Sequence, residues 1–259
     1  MYYPGFDIKP IYNPLGFEYG KDVFGPEVEN RTLDSIRASL RDPNSNGPSV
    51  VYSIAMDVGK NKDKDDLIKR NLLYGVVLYA KGKIGDEPIR SQGHRHAISL
   101  SCNASTPEVY EIFYGDAYIY MQENDLDNPG RCFAVHAKQG DKVIVPPNFV
   151  HATINANPND YMCFGAWCVR DYGFDYVGVK KHKGIAYFPI VNKDNSISFI
   201  KNDNYLKSNL IVKEPRLYKE FNFDNNSIYK QYEDDHNKFD FVKDPLIVKE
   251  KWLNFIPWC

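Results

Sequence analysis

Apolar and polar residues alternate along much of the chain from residue 50 onward, which is the pattern of β-strands with one buried face. The alternation and the apolar runs predict strands at residues 50–56, 72–79, 98–101, 108–122, 131–137, 142–145, 152–155 and 161–168, with two more at 185–190 and 196–200. Turn residues separate these segments, among them Gly115-Asp116 and Asn128-Pro129-Gly130. Many short strands with turns between them predict an all-β protein, either an antiparallel barrel or a jelly roll.

The two ends of the chain are less regular. The first 30 residues are rich in Pro, Gly and Tyr and are expected to wrap over the body, followed by a short helix capped by Thr32 or Asp34 and running through Ser39. Residues 204–259 are polar and aromatic with three prolines, and we expect them to pack on the body or on a partner subunit. This predicts an N-terminal arm with a helix (1–49), a barrel (50–182) and a C-terminal extension (183–259).

Composition supports the β prediction and narrows the partners. The 259 residues are 43% hydrophobic and include 19 Tyr and 15 Phe, and aromatic residues favour strands. The net charge is −2 without long charged blocks, so neither nucleic acid nor an anionic membrane is an expected partner. A short longest apolar run and the lack of a signal-peptide pattern predict a soluble, cytoplasmic protein. Five unpatterned cysteines agree with a reducing compartment, and Cys163 and Cys168 are predicted to be core thiols rather than a zinc pair.

The most informative chemistry begins at His94 and His96. Two residues that are two apart on a strand point to one face, so both imidazoles can reach a single ion. Imidazole nitrogens combined with a carboxylate suit Fe, Mn, Ni, Cu or Zn, and a ligand set below six leaves positions for water or substrate. A His-x-His pair also occurs by chance on surface strands, so the surrounding sequence decides its meaning.

That surrounding sequence has a recognisable order. His94, His96, Glu108 and Gly115, followed by Gly140, Pro146, His151 and Asn155, stand in an arrangement that resembles the two motifs of the cupins. Asn148 occupies a position where a turn glycine is usual, and Asn is the next residue most tolerant of positive φ. The spacer before Glu108 is longer than usual and is expected to form a hairpin loop at 101–106.

The resemblance to cupins implies a fold and a ligand set. The implied fold is a cupin, a jelly-roll or double-stranded β-helix barrel, here with N- and C-terminal extensions. The implied ligands of one divalent metal per chain (Fe, Mn, Ni or Zn) are His94, His96, Glu108 and His151. The other histidines lie outside the motifs and are expected to have no metal role; they are His136, His182 and His236.

Within the cupins, residues 91–96, 107–111 and 145–155 resemble the cupin-type phosphoglucose isomerases of archaea and some bacteria. The similarity extends to segments such as 31–37, 48–52 and 77–79, and it covers most of residues 25–245. It implies a metal-dependent aldose–ketose isomerase acting on a sugar phosphate, glucose 6-phosphate to fructose 6-phosphate, in glycolysis and gluconeogenesis. It also implies a cytoplasmic homodimer, in which the aromatic ends Tyr2, Tyr3 and 252–258 would help to cover the interface.

The same resemblance assigns roles to single residues. Glu108 is the candidate catalytic base as well as a metal ligand, and Tyr110 is expected in the same cavity, either with a proton role or as a lining residue. Tyr52, Ser91 and Gly93 correspond to phosphate-binding positions. Three positions depart from the family: Val76 replaces a strand Thr, Trp167 stands where a substrate-binding Tyr is common, and Phe174 replaces a His. Lys81, Lys83 and Arg95 are alternative partners for the phosphate charge.

Two other function classes remain open from the sequence. One is a different metal cupin enzyme, such as an oxygenase or another sugar isomerase or epimerase, which oxygen consumption or product analysis would identify. The other is a cupin that binds a sugar without turnover, which would show ligand binding and stabilisation independent of metal. The native metal and the choice between an enediol and a hydride-shift mechanism also stay open.

Overall fold

A computed structural model describes residues 4–258. Tyr2, Tyr3 and Cys259, which entered the interface and cysteine predictions, lie outside the described residues. Within the described range the strands are short, and most follow one another through tight turns. In chain order they are β1 Ile8–Tyr12, β2 Leu15–Tyr19, β3 Val23–Phe24, β4 Glu29–Thr32, β5 Val50–Met56, β6 Gly59–Lys60, β7 Leu72–Tyr79, β8 Lys83–Ile84, β9 Glu87–Pro88, β10 Arg95–His96, β11 Ile98–Ser99, β12 Ala104–Ser105, β13 Glu108–Tyr114, β14 Asp116–Gln122, β15 Cys132–Lys138, β16 Lys142–Val145, β17 Val150–Asn155, β18 Met162–Val169, β19 Phe174–Asp175, β20 Tyr187–Val191, β21 Ile197–Lys201 and β22 Leu210–Lys213.

Two larger sheets form the body. One has six strands in the order β16-β13-β18-β7-β5-β4, and the other has four strands in the order β17-β14-β15-β22. Their pairings are antiparallel except for β15 with β22, which is parallel. A buried apolar cluster takes residues from both sheets, among them Val77 and Phe164 from the first and Ile119 and Phe133 from the second. The two sheets therefore face each other across a common core, as the barrel prediction requires.

Helices are short and lie mainly near the ends of the chain. They are α1 Leu33–Ile36, α2 Lys64–Lys69, α3 Val177–Lys181, α4 Ile228–Asp234, α5 Asp240–Lys243 and α6 Lys249–Trp252. Short 3-10 turns occupy Arg37–Ser39, Asn61–Asp63, Lys219–Phe221 and Pro245–Val248. Across residues 4–258, none of the helices has both the length and the apolar character that a membrane crossing demands.

A second apolar core lies on the outer face of the six-stranded sheet. There the C-terminal helices and the β1–β2 hairpin cover the sheet with aromatic residues such as Phe6, Tyr229 and Phe239. This second core was not readable from the sequence, because the buried aromatic residues of 204–259 are spaced irregularly between exposed residues. Residues of the extension therefore share a buried core with the six-stranded sheet.

Most strand predictions agree with the structure. The predicted strands at 50–56, 72–79 and 142–145 coincide with β5, β7 and β16. The predicted strand at 108–122 is instead a hairpin of β13 and β14, because Gly115 turns the chain with φ +77°. Asn148 has φ +69°, and Thr32 caps α1 by accepting a hydrogen bond from Ser35 N, both as predicted. The hairpin β1–β2 and the C-terminal helices were not predicted as elements.

The proposed division at 49/50 and 182/183 cuts through the two sheets. β4 lies before the first boundary and pairs with β5, and β22 lies after the second and pairs with β15. We keep the three segments as a proposal for the organisation of the chain, with each flanking segment donating one strand to the barrel.

Candidate metal centre

The four predicted ligands meet between the sheets. Glu108 begins β13 in the six-stranded sheet, and His151 lies on β17 in the four-stranded sheet. His94 is held against His151 by a β-bridge, with His94 N donating to His151 O at 3.0 Å and His151 N to His94 O at 2.8 Å. His96 follows on β10 and is buried. The ligand atoms of the four residues all lie within 4.8 Å of one another.

Hydrogen bonds orient two of the imidazoles. Nδ1 of His96 lies 2.8 Å from the carbonyl of Thr106, and Nδ1 of His151 lies 3.2 Å from the carbonyl of Phe149. A carbonyl accepts only, so both Nδ1 atoms carry the proton and both Nε2 atoms present a lone pair to the cluster. Nε2 of His94 and Nε2 of His96 are buried with no hydrogen-bond partner among residues 4–258. Backbone carbonyls behind the rings are the usual support of metal-binding histidines.

Four side chains lie against the carboxylate of Glu108, three at Oε2 and one at Oε1. Oε2 accepts a hydrogen bond from the Tyr110 hydroxyl at 2.7 Å and lies 3.2 Å from His151 Nε2 and 3.3 Å from His96 Nε2. Oε1 accepts a hydrogen bond from the thiol of Cys168 at 3.1 Å. One oxygen thus lies against two histidines, and the other lies against Cys168.

The donor set fits a divalent cation. Two ligand atoms bound to one ion at about 2.1 Å each are at most about 4 Å apart, so a displacement under about 1 Å brings all four donors to a common ion. Three imidazoles and one carboxylate are borderline donors that suit Fe, Mn, Ni, Cu or Zn better than Ca or Mg. The partnerless Nε2 atoms of His94 and His96 would gain a partner in such an ion. His136, His182 and His236 lie outside this cluster.

Burial and mutual contacts set the protonation states. Burial, then the neighbouring His151 and His96, holds the pKa of His94 well below its usual value. Burial likewise lowers the pKa of His151. Burial alone would raise the pKa of Glu108, but its contacts with His151 and His96 outweigh burial and lower it. Near neutral pH His94 and His151 are therefore neutral and Glu108 is ionised, the forms that bind metal.

Tyr110 and Cys168 stay protonated beside that carboxylate. Burial raises the pKa of Tyr110 well above its ordinary value, and the charge of Glu108 adds to this. Burial and then Glu108 raise the pKa of the Cys168 thiol in the same way. Both groups consequently act as hydrogen-bond donors to Glu108.

A cavity of about 290 Å³ opens on the cluster. Its volume is just below the range of about 300–1,000 Å³ that is typical of small-molecule sites, so it suits a small ligand. Its wall combines apolar, aromatic and polar side chains. It is lined by Glu29, Arg31, Tyr52, Ile54, Met56, Gly75, Val77, Tyr79, Ser91, Gln92, His94, Glu108, Tyr110, His151, Thr153, Phe164, Ala166, Tyr172, Phe174 and Tyr176.

Two predicted substrate residues lie in this wall. Tyr52 stacks on Tyr79 with ring centroids 4.8 Å apart. The Tyr79 hydroxyl is hydrogen-bonded to Ser91 and Thr153, and Ser91 Oγ accepts a hydrogen bond from Thr153 N at 3.1 Å. A row of hydroxyl groups therefore crosses the cavity wall. Tyr79 and Thr153 were not singled out as site residues from the sequence, although alternation along β7 and β17 places both on the inner face.

Two other predicted substrate residues do not line the cavity. Gly93 has φ +88°, and a Cβ built there would come within 2.6 Å of Ile185 Cγ2, so this glycine is required by the backbone and by packing. Trp167 is fully buried in the outer core, where its Nε1 donates to the carbonyl of Ile228 at 3.2 Å. Its neighbour Ala166 faces the cavity instead. Gly93 and Trp167 therefore lie outside this cavity wall, and their role in substrate binding stays a prediction.

Val76 and Phe174, which both depart from the family, affect the cavity differently. Val76 points into the outer core, and the adjacent Val77 lines the cavity, so Val76 removes no hydrogen-bonding group from the site. Phe174 does line the cavity and lies against His94, with ring centroids 4.4 Å apart. The aromatic ring therefore forms a wall beside the cluster where a polar side chain was expected.

The cavity wall also contains a cationic side chain, Arg31, that the sequence did not identify as a site residue. Arg31 on β4 is the one Lys or Arg among the described residues lining the wall, and Glu29 lies 3.0 Å from it. Burial raises the pKa of Tyr52 and Tyr176, and the positive charge of Arg31 partly offsets this effect. Arg31 falls in a segment that resembled the family, but nothing in its spacing connected it to the histidines. The alternatives Lys81, Lys83 and Arg95 do not line the cavity; Arg95 pairs with Asp175 at 2.8 Å.

The facing sheets, with three histidines and one glutamate between them, define the chain as an all-β cupin. The model of the family described as glucose-6-phosphate isomerase (GPI) matches residues 35–207, about two thirds of the chain. The chain belongs to this family, and the resemblance inferred from its motifs is confirmed.

Other comparisons are distant. No curated protein matches the chain by sequence. Similar solved structures include a vicilin from Capsicum annuum (10% identity, 50% of this chain and 32% of that chain, TM-score 0.35) and a vicilin from Corylus avellana, the hazelnut (11%, 59% and 36%, TM-score 0.37). Oxalate decarboxylase from Bacillus subtilis is another (14%, 61% and 30%, TM-score 0.34). The chain spans about a third of the length of these structures.

Proposed function

We propose that the protein is a metal-dependent aldose–ketose isomerase that interconverts glucose 6-phosphate and fructose 6-phosphate. One observation carries the proposal: three histidines and a glutamate converge on a cavity whose wall also holds Arg31. Membership of the glucose-6-phosphate isomerase family supports the reaction class.

The metal would be held by His94, His96, Glu108 and His151, with one divalent ion per chain. A cation in this position supplies a Lewis acid for the carbonyl oxygen of the sugar. The chain itself prepares the site, because the carbonyls of Thr106 and Phe149 fix the rings of His96 and His151. The same donor set accommodates Fe, Mn, Ni or Zn, and elemental analysis of the purified protein identifies which one is native.

Glu108 and Tyr110 are the proposed catalytic pair. Isomerisation moves a hydrogen between C2 and C1, and in the enediol route a base takes the C2 proton and returns it at C1. Glu108 is ionised, as this role requires, although its lowered pKa makes it a modest base. Tyr110 keeps its proton and donates to Glu108 Oε2, so its role is to orient the carboxylate. Transfer of solvent deuterium into the product distinguishes the enediol route from a hydride shift.

The phosphate is proposed to lie near Arg31 in the cavity wall. A guanidinium matches a phosphate dianion in charge and hydrogen-bonding geometry. Tyr52, Tyr176 and Ser91 supply hydroxyl groups to the same cavity wall. Glu29 neutralises Arg31 only partly, because both side chains remain partly exposed.

The decisive experiment is an isomerase assay on protein stripped with EDTA and reloaded with Mn, Fe, Ni or Zn. The expected result is interconversion of glucose 6-phosphate and fructose 6-phosphate that appears with metal and is abolished in Glu108→Gln. Unphosphorylated glucose and fructose serve as the matched control and should react poorly, because they offer Arg31 no charge. Failure to convert any hexose or pentose phosphate with any of the four metals would reject the proposal.

The same assay separates the two remaining classes. Oxygen consumption with loss of a substrate would identify a cupin oxygenase. Sugar binding without product, and with equal affinity before and after metal removal, would identify a binding protein.

A homodimer is also proposed, although part of the aromatic surface that suggested it packs within the chain. Trp252 packs on Phe221 and Trp258 on Phe133 within the chain, so these rings are already covered. Exposed Leu253 and Ile256 beside them still offer apolar surface. Light scattering at micromolar concentration tests this, and a monomer mass would contradict it.

A further inference from the structure

Cys168 is a buried nucleophilic group that the proposed reaction does not use. It lies on the inner face of β18, where the register pairs Val109 of β13 with Trp167, so Glu108 and Cys168 are the next cross-strand neighbours. The thiol donates a hydrogen bond to Glu108 Oε1 at 3.1 Å. Its contact is thus with a proposed metal ligand rather than with other core residues alone.

The two oxygens of Glu108 are held by two different donors. The Tyr110 hydroxyl binds Oε2, the oxygen that lies 3.2 Å and 3.3 Å from the nitrogens of His151 and His96. Cys168 donates to the other oxygen, Oε1, at 3.1 Å. Rotation of the carboxylate about its terminal bond would break both hydrogen bonds, because Tyr110 and Cys168 each bind a different oxygen.

We propose that Cys168 is a positioning residue, which fixes the Glu108 carboxylate so that Oε2 is presented to the metal and Oε1 is withheld from it. This inference rests on the proposed metal site of His94, His96, Glu108 and His151. Removing the donor frees the carboxylate to turn, so the geometry of the donor set and its affinity for metal both change.

The chain offers a matched control on the same strand. Cys163 is also buried on β18, but it is five residues away and therefore points to the outer core. A general effect of losing a buried thiol would appear at Cys163 and Cys168 alike. A positioning effect would appear at Cys168 alone.

The experiment measures Zn²⁺ affinity by competition with a chelating dye, on EDTA-stripped wild type and on the Cys168→Ala, Cys168→Ser and Cys163→Ala variants. Circular dichroism of each stripped protein establishes that it is folded. We expect Cys168→Ala to weaken Zn²⁺ binding by about tenfold, the lower end of the effect of losing a group that supports a ligand. Ser keeps a donor, so Cys168→Ser should remain within about threefold of wild type, and Cys163→Ala should match wild type.

Three results would overturn the inference: wild-type affinity in Cys168→Ala, equal weakening in Cys168→Ala and Cys168→Ser, or equal weakening in Cys163→Ala. Because binding is measured without turnover, a protein that shows the expected pattern but isomerises no sugar phosphate would reject the proposed function and leave this inference intact. Unchanged Zn²⁺ affinity in His96→Ala would reject the metal site and the inference with it.

Discussion

The inner and outer faces of the six-stranded sheet are built from alternate residues of the same strands, yet they serve different tasks. On β13 and β18 the inner face carries Glu108, Tyr110 and Cys168, and the outer face carries Val109 and Trp167. Adjacent residues therefore belong to a polar site and to an apolar core. A shift of one position along a strand moves a side chain from the polar site to the apolar core.

The outer face shows what the C-terminal extension does. Trp167 stacks on Tyr229 and Phe239, and the buried pair of Lys142 and Glu111, 3.2 Å apart, continues to the backbone of Ile228, whose N–H donates to Glu111. The extension thus caps a hydrophobic face that would otherwise meet water. None of these contacts involves Glu108, Tyr110 or Cys168 of the inner face, so substitutions can perturb the two faces separately.

The largest effect is expected from the inner face. His96→Ala and His151→Ala each open a coordination position, and we expect bound metal to fall from one ion per chain toward none, with isomerase activity lost in parallel. Elemental analysis and the isomerase assay measure the two quantities. His136→Ala is the matched control, because His136 stacks on Tyr118 away from the cluster, and it should keep both. Full metal occupancy in a His96→Ala, His151→Ala double variant would end the assignment.

A large effect of another kind is expected from the outer face. Trp167→Ala removes a fully buried ring and should lower the free energy of unfolding by about 3–5 kcal/mol, measured by urea denaturation. The KM of the variant for a sugar phosphate should stay near that of wild type at temperatures where it is folded. A raised KM with unchanged stability would return Trp167 to the substrate site.

The contrast between the faces also explains what the sequence could reveal. The ligand motif and the strands β5, β7 and β16 were readable, because His-x-His spacing and period-two alternation are local properties. The outer-core positions of Trp167 and Val76 were not readable, because a family position does not say which way a strand side chain points when the register is unknown. Arg31 was missed because only the pairing of β4 with β5, an edge contact far from the histidines in sequence, brings it to the cavity. The C-terminal helices were missed because their stability comes from tertiary packing.

Arg31 provides a test of the cavity that spares the metal. Arg31→Met keeps most of the side-chain volume and removes the charge, and a hydrogen bond to a charged group contributes about 1.5–3 kcal/mol, so KM for a sugar phosphate should rise roughly 10–100-fold. The kcat should change much less, and metal content should not change. Lys83→Met is the control, because Lys83 is exposed and outside the cavity wall. Equal KM values in the two variants would place the phosphate elsewhere.

The smallest effect, and the sharpest comparison of the faces, comes from two adjacent valines. Val76→Thr puts a hydroxyl into the outer core and should lower the free energy of unfolding by about 1–3 kcal/mol if the hydroxyl finds no partner, while KM stays unchanged. Val77→Thr puts the same hydroxyl into the cavity, so KM should shift with little change in stability. Steady-state kinetics and urea denaturation of both variants measure the two effects. Improved use of glucose 6-phosphate in Val76→Thr alone would mean that β7 presents its other face to the substrate, because a side chain in the outer core has no contact with the cavity.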